Sequence, residues 1–222
     1  MSEIIRLDNV VWMARDNWRA VNGISLCVQE HEWVRICADR SSGDALMRLI
    51  AGMEAPNSGS VYVLNQDVQA MSRSEAAAFR NRHIGVVLEE PDFLDKLSVA
   101  ENVSLPLVVR GMSRQQSKKA AADMLSTLGI QHLAAARAVH LSNLERRTAG
   151  LARALITKPQ ILLLNGVTLR LSERDTQKII ETIHAAVPYG DCTMLWFDGI
   201  NSALCTHRTI QLEYGKIRED GK

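Results

Sequence analysis

The chain has 222 residues, 46% of them hydrophobic, which is enough for one compact domain and its core. With 26 Lys and Arg against 25 Asp and Glu the net charge is +1, which excludes the basic footprint of a nucleic-acid binder. The opening MSEIIRLDNV lacks the pattern of a secretory signal, and no apolar run reaches the ~18 residues of a spanning helix.

Taken in chain order, IIRLDNVVW (4–12) and VNGISLCV (21–28) alternate like antiparallel strands, and WVRIC (33–37) reads as a short buried strand. A short polar turn follows, then a helix over 44–52. The turn PNSG leads into a strand at 59–66. A long helical stretch covers roughly 71–139, interrupted at 83–91 and at Pro106; within it SRQQSKKAAADMLSTLGI (113–130) is amphipathic, with Ser113 as its cap. QILLLNG (160–166) and CTMLWFD (192–198) read as buried parallel strands separated by a helix at 172–187, and TIQLEYGKI (209–217) closes the chain as an edge pair. The order predicts an α/β fold with an antiparallel β subdomain and a helical lobe at roughly 90–157 inserted in the core, all within one domain over 1–222. Cys27, Cys37, Cys192 and Cys205 form no CxxC pair and are expected to be buried, reduced thiols; His83 and His140 have no metal-ligand spacing.

Strand, polar turn and helix at 33–52 have the layout of a phosphate-binding loop. Three stretches extend that likeness: RNRHIGVVLEEPDFLDKLSVAENVSLPLVVRGMSR (80–114), HLSNLERRTAGLARALITKPQILLLNG (140–166) and the Gly52–Gly59 turn. Together they resemble the ATP-binding subunit of an ABC transporter of the lipoprotein-releasing, macrolide-export and cell-division type, from about residue 4 to about residue 217. The resemblance implies a P-loop-NTPase-like ABC nucleotide-binding domain, with ATP and magnesium as cofactors in an intact member. It also implies an integral membrane permease subunit as partner, dimerisation with itself or with an intact ABC ATPase, and a cytoplasmic position on the inner face of the cell membrane.

Compared position by position, the implied site is altered throughout. The phosphate-loop frame is Ala38-Asp39-Arg40-Ser41-Ser42-Gly43-Asp44-Ala45, with Asp44 at the lysine's place and Ala45 where a hydroxyl would bind magnesium. The strand that ends in the magnesium aspartate and the general-base glutamate ends here in Asn165 and Gly166. The magnesium-sensing Gln aligns with Glu89, the switch His with Asp198, and the D-loop Asp with Ser172. The signature frame retains Ser142 and Glu145 but has Asn143 and Leu144 in place of its glycines. Asp44 is expected to sit at a helix N-terminus in the phosphate's place, paired with Arg40. Leu144 either adds bulk where a partner's nucleotide would approach or packs on the lobe. Trp12 and Trp18 compete for the position of an adenine-stacking aromatic, and the basic run LERRTAG (144–150) reads as a solvated helix face.

These changes point to a catalytically silent cassette subunit with no catalytic residue, no metal and no bound nucleotide expected. The alternative is a divergent but active ATPase that energises export or lipoprotein release. Membrane-subunit docking is expected around Glu89, Glu90, Phe93 and Leu94, with Phe93 as the buried anchor of the contact.

Overall fold

In the computed structural model, residues 2–14, 18–188, 191–198 and 206–221 are described. Strands β1 (Glu3–Met13), β2 (Arg19–Gln29), β4 (Ser58–Val63) and β5 (Gln66–Asp67) form an antiparallel sheet in the order β2-β1-β4-β5. Between β4 and β5 the chain turns at Leu64 and Asn65, both with positive φ (52° and 59°), so the single strand expected at 59–66 is two. Two left-handed residues in succession make a tight hairpin turn, and a leucine there carries no turn signal.

The second sheet holds β3 (Trp33–Cys37), β6 (Ile84–Leu88), β7 (Ile161–Asn165), β8 (Thr193–Asp198), β9 (Arg208–Glu213) and β10 (Lys216–Gly221) in the order β10-β9-β3-β8-β7-β6. β3, β6, β7 and β8 run parallel, and their apolar runs are explained by burial on both faces: four of the five residues of β7 are fully covered. β6 is the strand that the interruption expected at 83–91 conceals.

α1 (Arg40–Ile50) lies between the two sheets, where Leu46, Leu49 and Ile50 join Ile5, Leu7 and Val61 in one apolar core. On the other side of the parallel sheet, α3 (Val99–Val109), α4 (Arg114–Thr127) and α5 (Asn143–Leu155) pack through Val103, Leu125 and Leu151; α6 (Glu173–Ala186) covers the same face through Ile179 and Ile183. α2 (Arg73–His83) leads into β6. α3 runs through Pro106 instead of breaking there, because the proline falls in the last turn, where a lost ladder bond disturbs little; the Arg110 N–H still reaches the Pro106 carbonyl at 3.3 Å.

Register places the site. Cys37 pairs with Asp198, Asn165 with Phe197, and Leu88 with Asn165, so the carboxyl ends of β3, β8, β7 and β6 lie side by side. The segments leaving those ends meet along one crevice, the position where open parallel sheets bind ligands.

Candidate functional site

The helix after β3 starts earlier than the sequence pattern predicts. Asp39 is its N-cap: the carboxylate accepts from the Ser42 N–H at 3.0 Å and the Ser42 hydroxyl at 2.6 Å, while the Gly43 N–H donates to the Asp39 carbonyl at 2.9 Å. An aspartate is among the strongest N-caps, and here it turns Arg40–Gly43 into the first helical turn. Only Ala38 and Asp39 separate strand from helix. The Ser42 and Gly43 amides therefore already have partners inside the protein.

Asp44 is consequently one turn inside α1 and not at its N-terminus, and its partner is not Arg40. Its carboxylate accepts from the Asn165 side-chain amide at the end of β7. Arg40 instead reaches Glu89, the first residue after β6, at 3.0 Å. Glu89 is buried and receives two further guanidinium groups, Arg170 at 3.0 Å and Arg147 at 3.9 Å. At the end of β8, Asp198 accepts from the Thr168 hydroxyl at 2.6 Å and the Trp196 indole N–H at 3.1 Å. The altered positions thus answer one another: Asp44 with Asn165, Glu89 with Arg40.

A cavity of about 310 Å³ opens beside Asp44, Glu89, Asn165 and Gly166, and a second of about 250 Å³ lies between Ala38, Asp39, Gly166 and Asp198. Gly166 has φ +64°, and a Cβ on it would lie 3.1 Å from Leu169 Cδ1 and 3.2 Å from Glu89 Cβ. An acidic side chain at 166 is opposed by both conformation and space.

Sequence reasoning missed Arg147. The run LERRTAG is not a solvated face: Arg147 on α5 is 3% exposed and donates to the carbonyls of Glu89 (3.0 Å), Val167 (3.0 Å) and Leu169 (2.6 Å). Burial pulls its guanidinium below the ordinary arginine range while Glu89 opposes the shift; an arginine remains charged even so. One side chain from the lobe therefore satisfies the chain segments leaving both β6 and β7. Its helical phase, three residues after Leu144 and four before Leu151 on the apolar face of α5, is the sequence signal for its burial.

In the signature frame, Ser142 caps α5 and forms a capping box with Glu145. The Glu145 carboxylate accepts from the Ser142 N–H and hydroxyl, each at 2.8 Å, and these bonds hold its pKa below the ordinary glutamate value. Asn143 is exposed on the first turn, and Leu144 packs with Leu141 against the lobe core, the second of the two readings given to it. Ser172 caps α6, accepting from the Asp175 N–H at 3.1 Å. Trp12 packs against the core between the sheets and Trp18 is 42% exposed; neither lines the two cavities.

The docking surface needs correction at two of its four residues. Phe93 is 8% exposed and belongs to the lobe core, with the Arg153 and Arg146 guanidinium carbons 4.6 Å and 5.6 Å from its ring centroid. Glu89 is buried in its ion pairs. Glu90 and Leu94 remain on the surface. The apolar groove is lined by neither of them; it is a cleft of about 420 Å³ between β6 and α3 lined by Met53, Ala77, Ile84, Pro106 and Val109, with Arg80 and Arg153 as the charged groups on its described walls.

Cys37 and Cys192 are buried, Cys27 is half-buried, and none of the three is in a disulfide; Cys205 lies outside the described residues. Burial raises the Cys192 thiol to about 12 and, with Glu3 beside it, Cys27 to about 11, so both stay protonated at neutral pH. Among the described residues no group of three His, Cys, Asp or Glu is placed to hold a metal, and no helix is long and apolar enough to cross a membrane.

Comparison with known proteins agrees with this architecture. The lipoprotein-releasing system ATP-binding protein LolD of Pseudoalteromonas translucida is 34% identical over 178 residues, 79% of this chain and 77% of that protein. LolD of Aquifex aeolicus is 28% identical over 218 residues, covering 98% and 97% of the two chains. The solved dimer of MJ0796, a bacterial ABC transporter cassette, superposes with a TM-score of 0.88 at 25% identity, covering 99% of this chain and 98% of that one. The ABC transporter family pattern matches residues 21–168, and with the crevice at the strand ends it assigns this chain to the ABC transporter family as an ATP-binding-type subunit.

Proposed function

We propose that this chain is a cassette subunit that neither binds Mg-ATP firmly nor hydrolyses it, and that it serves a transport-type membrane assembly as a structural or regulatory partner. The observation that carries this reading is the start of α1. A phosphate cradle needs a loop of unpaired amides ahead of the helix, and here Asp39 caps the helix so that Ser42 and Gly43 donate within the protein. The residues present do not suit the nucleotide. A carboxylate at Asp44 facing a phosphate at ~4 Å opposes it by about 4 kcal/mol per unit charge pair at an effective dielectric of ~20. Asn165 offers magnesium no charge, and Gly166 offers water no base.

Its proposed partners are an integral membrane permease subunit and, across the cassette face, a second copy or an intact ABC ATPase. Its proposed location is the cytoplasmic face of the membrane. The proposed seat for the permease is the groove between β6 and α3, where apolar walls and two arginines suit a short amphipathic segment carrying a carboxylate. A second reading, a divergent but active ATPase, is favoured by the relatives, which are named as ATP-binding proteins.

Capture from detergent-solubilised membranes tests the first reading. The unaltered chain is expected to retain a multi-spanning permease, and Val109→Asp, at a 74% exposed groove residue, to weaken that association by about 2 kcal/mol. The captured complex without an intact cassette is expected to release no phosphate from ATP. Steady turnover by it would favour the active ATPase.

A further inference from the structure

We propose that the Glu89 carboxylate is a built-in clamp that holds the helical lobe against the parallel sheet in one posture with no ligand present. Three arginines from three segments converge on it: Arg40 at the start of α1, Arg170 after β7, and Arg147 from α5 in the lobe, at 3.0, 3.0 and 3.9 Å. The backbone of the same residue is held as well, since Arg147 Nε donates to the Glu89 carbonyl at 3.0 Å. Residues 89–98 form the connection from the sheet to the lobe helix α3, so residue 89 is where lobe and sheet would pivot. Immediately beyond, α5 lies so close that a Cβ on Gly150 would approach Pro91 Cγ to 2.7 Å.

The charge balance makes the carboxylate decisive. Arg40 and Arg170 are more than 60% exposed and water can satisfy their N–H groups, but Arg147 and Glu89 are buried, and a buried charge needs its partner. One carboxylate has lone pairs enough for several guanidinium donors. Without its charge, three like charges face one another, offset among the described residues by Glu90, 3.7 Å from Arg170, and the sheet-side arginines separate from the lobe-side one. The same contacts commit Arg40, the cation nearest the Asp39 cap, to the protein itself.

This clamp rests on the reading that the chain works without nucleotide, and amide hydrogen exchange on the full chain separates the two. Glu89→Gln keeps the shape and removes the charge. The clamp predicts that amides of α3–α5 and of residues 89–98 exchange about tenfold faster in Glu89→Gln than in the unaltered chain, while those of β1, β2 and β4 do not change. An Arg40→Gln/Arg170→Gln pair, which leaves the buried Arg147 contact in place, is expected to give a smaller acceleration confined to the same segments. Unchanged lobe exchange in both variants, or equal acceleration in both sheets and the lobe, would overturn the clamp. Protection of the unaltered lobe by millimolar Mg-ATP would instead overturn the nucleotide-free reading, and the clamp would then still stand on the accelerated exchange of Glu89→Gln.

Discussion

Replacing Arg147 by alanine is expected to cost about 3–5 kcal/mol of folding stability, read as a shift of the urea midpoint at unchanged slope. The substitution strands the buried Glu89 carboxylate without its buried partner and leaves the carbonyls of Glu89, Val167 and Leu169 short of the donor they share. A domain of this kind has ~5–15 kcal/mol in total, so the loss is a large share of the whole. Arg147→Lys is expected to recover little of it, because a single ammonium cannot span three carbonyls that a planar guanidinium reaches together. A loss under about 1 kcal/mol for Arg147→Ala would mean that the lobe and the sheet are joined by other contacts.

On the proposed silent-cassette reading, introducing the phosphate-site groups one residue at a time is expected to give no turnover, and the reason is conformational as much as chemical. Asp44→Lys supplies a cation but leaves the Asp39 cap, the helical turn at 40–43 and the committed amides as they are. Adding Gly166→Glu places a side chain at φ +64°, which costs about 1–2 kcal/mol, and sets its Cβ against Leu169 and Glu89. Groups that act as a unit in catalysis contribute little singly. The double variant is therefore expected to be less stable than the unaltered chain and to stay well below the ~1–10³ s⁻¹ of ordinary enzymes in a phosphate-release assay. Turnover within that range would show that the site needs only those two groups.

Much of the architecture is legible from local pattern. ILLLN and TMLWFD are buried on both sides, as continuous apolar runs should be, and Ser113 caps α4 as its position ahead of an amphipathic run predicts. The errors have physical causes. α1 starts a turn earlier than the sequence pattern predicts because Asp39 and Asp44 are both able to cap, and only the backbone decides between them. Leu64 and Asn65 hide a hairpin because a leucine at positive φ has no signature in composition.

In the candidate site, residue identity and residue role part company. The positions that depart from the phosphate-site pattern can be named from sequence, yet their new partners cannot, because Asp44 and Asn165 are 121 residues apart and Arg40 and Glu89 49 apart. Phe93 and Arg147 illustrate the same limit in opposite directions. An aromatic in an acidic loop suggested a surface anchor but folds into the lobe core, whereas a charged residue in a basic run suggested solvent and is buried. Burial at both places is set by the approach of α5 to the β6 connection, a contact between segments more than 50 residues apart.

Titration calorimetry with Mg-ATP on the purified chain tests the central claim most directly, because it asks whether the crevice accepts the nucleotide before any question of hydrolysis. The prediction is no saturable heat at submillimolar nucleotide, corresponding to a dissociation constant weaker than about 1 mM and a binding free energy smaller in magnitude than about 4 kcal/mol. A dissociation constant in the low micromolar range, near −8 kcal/mol, would contradict the account, since the Asp39-capped helix and the Asp44 carboxylate could not then be what the nucleotide meets.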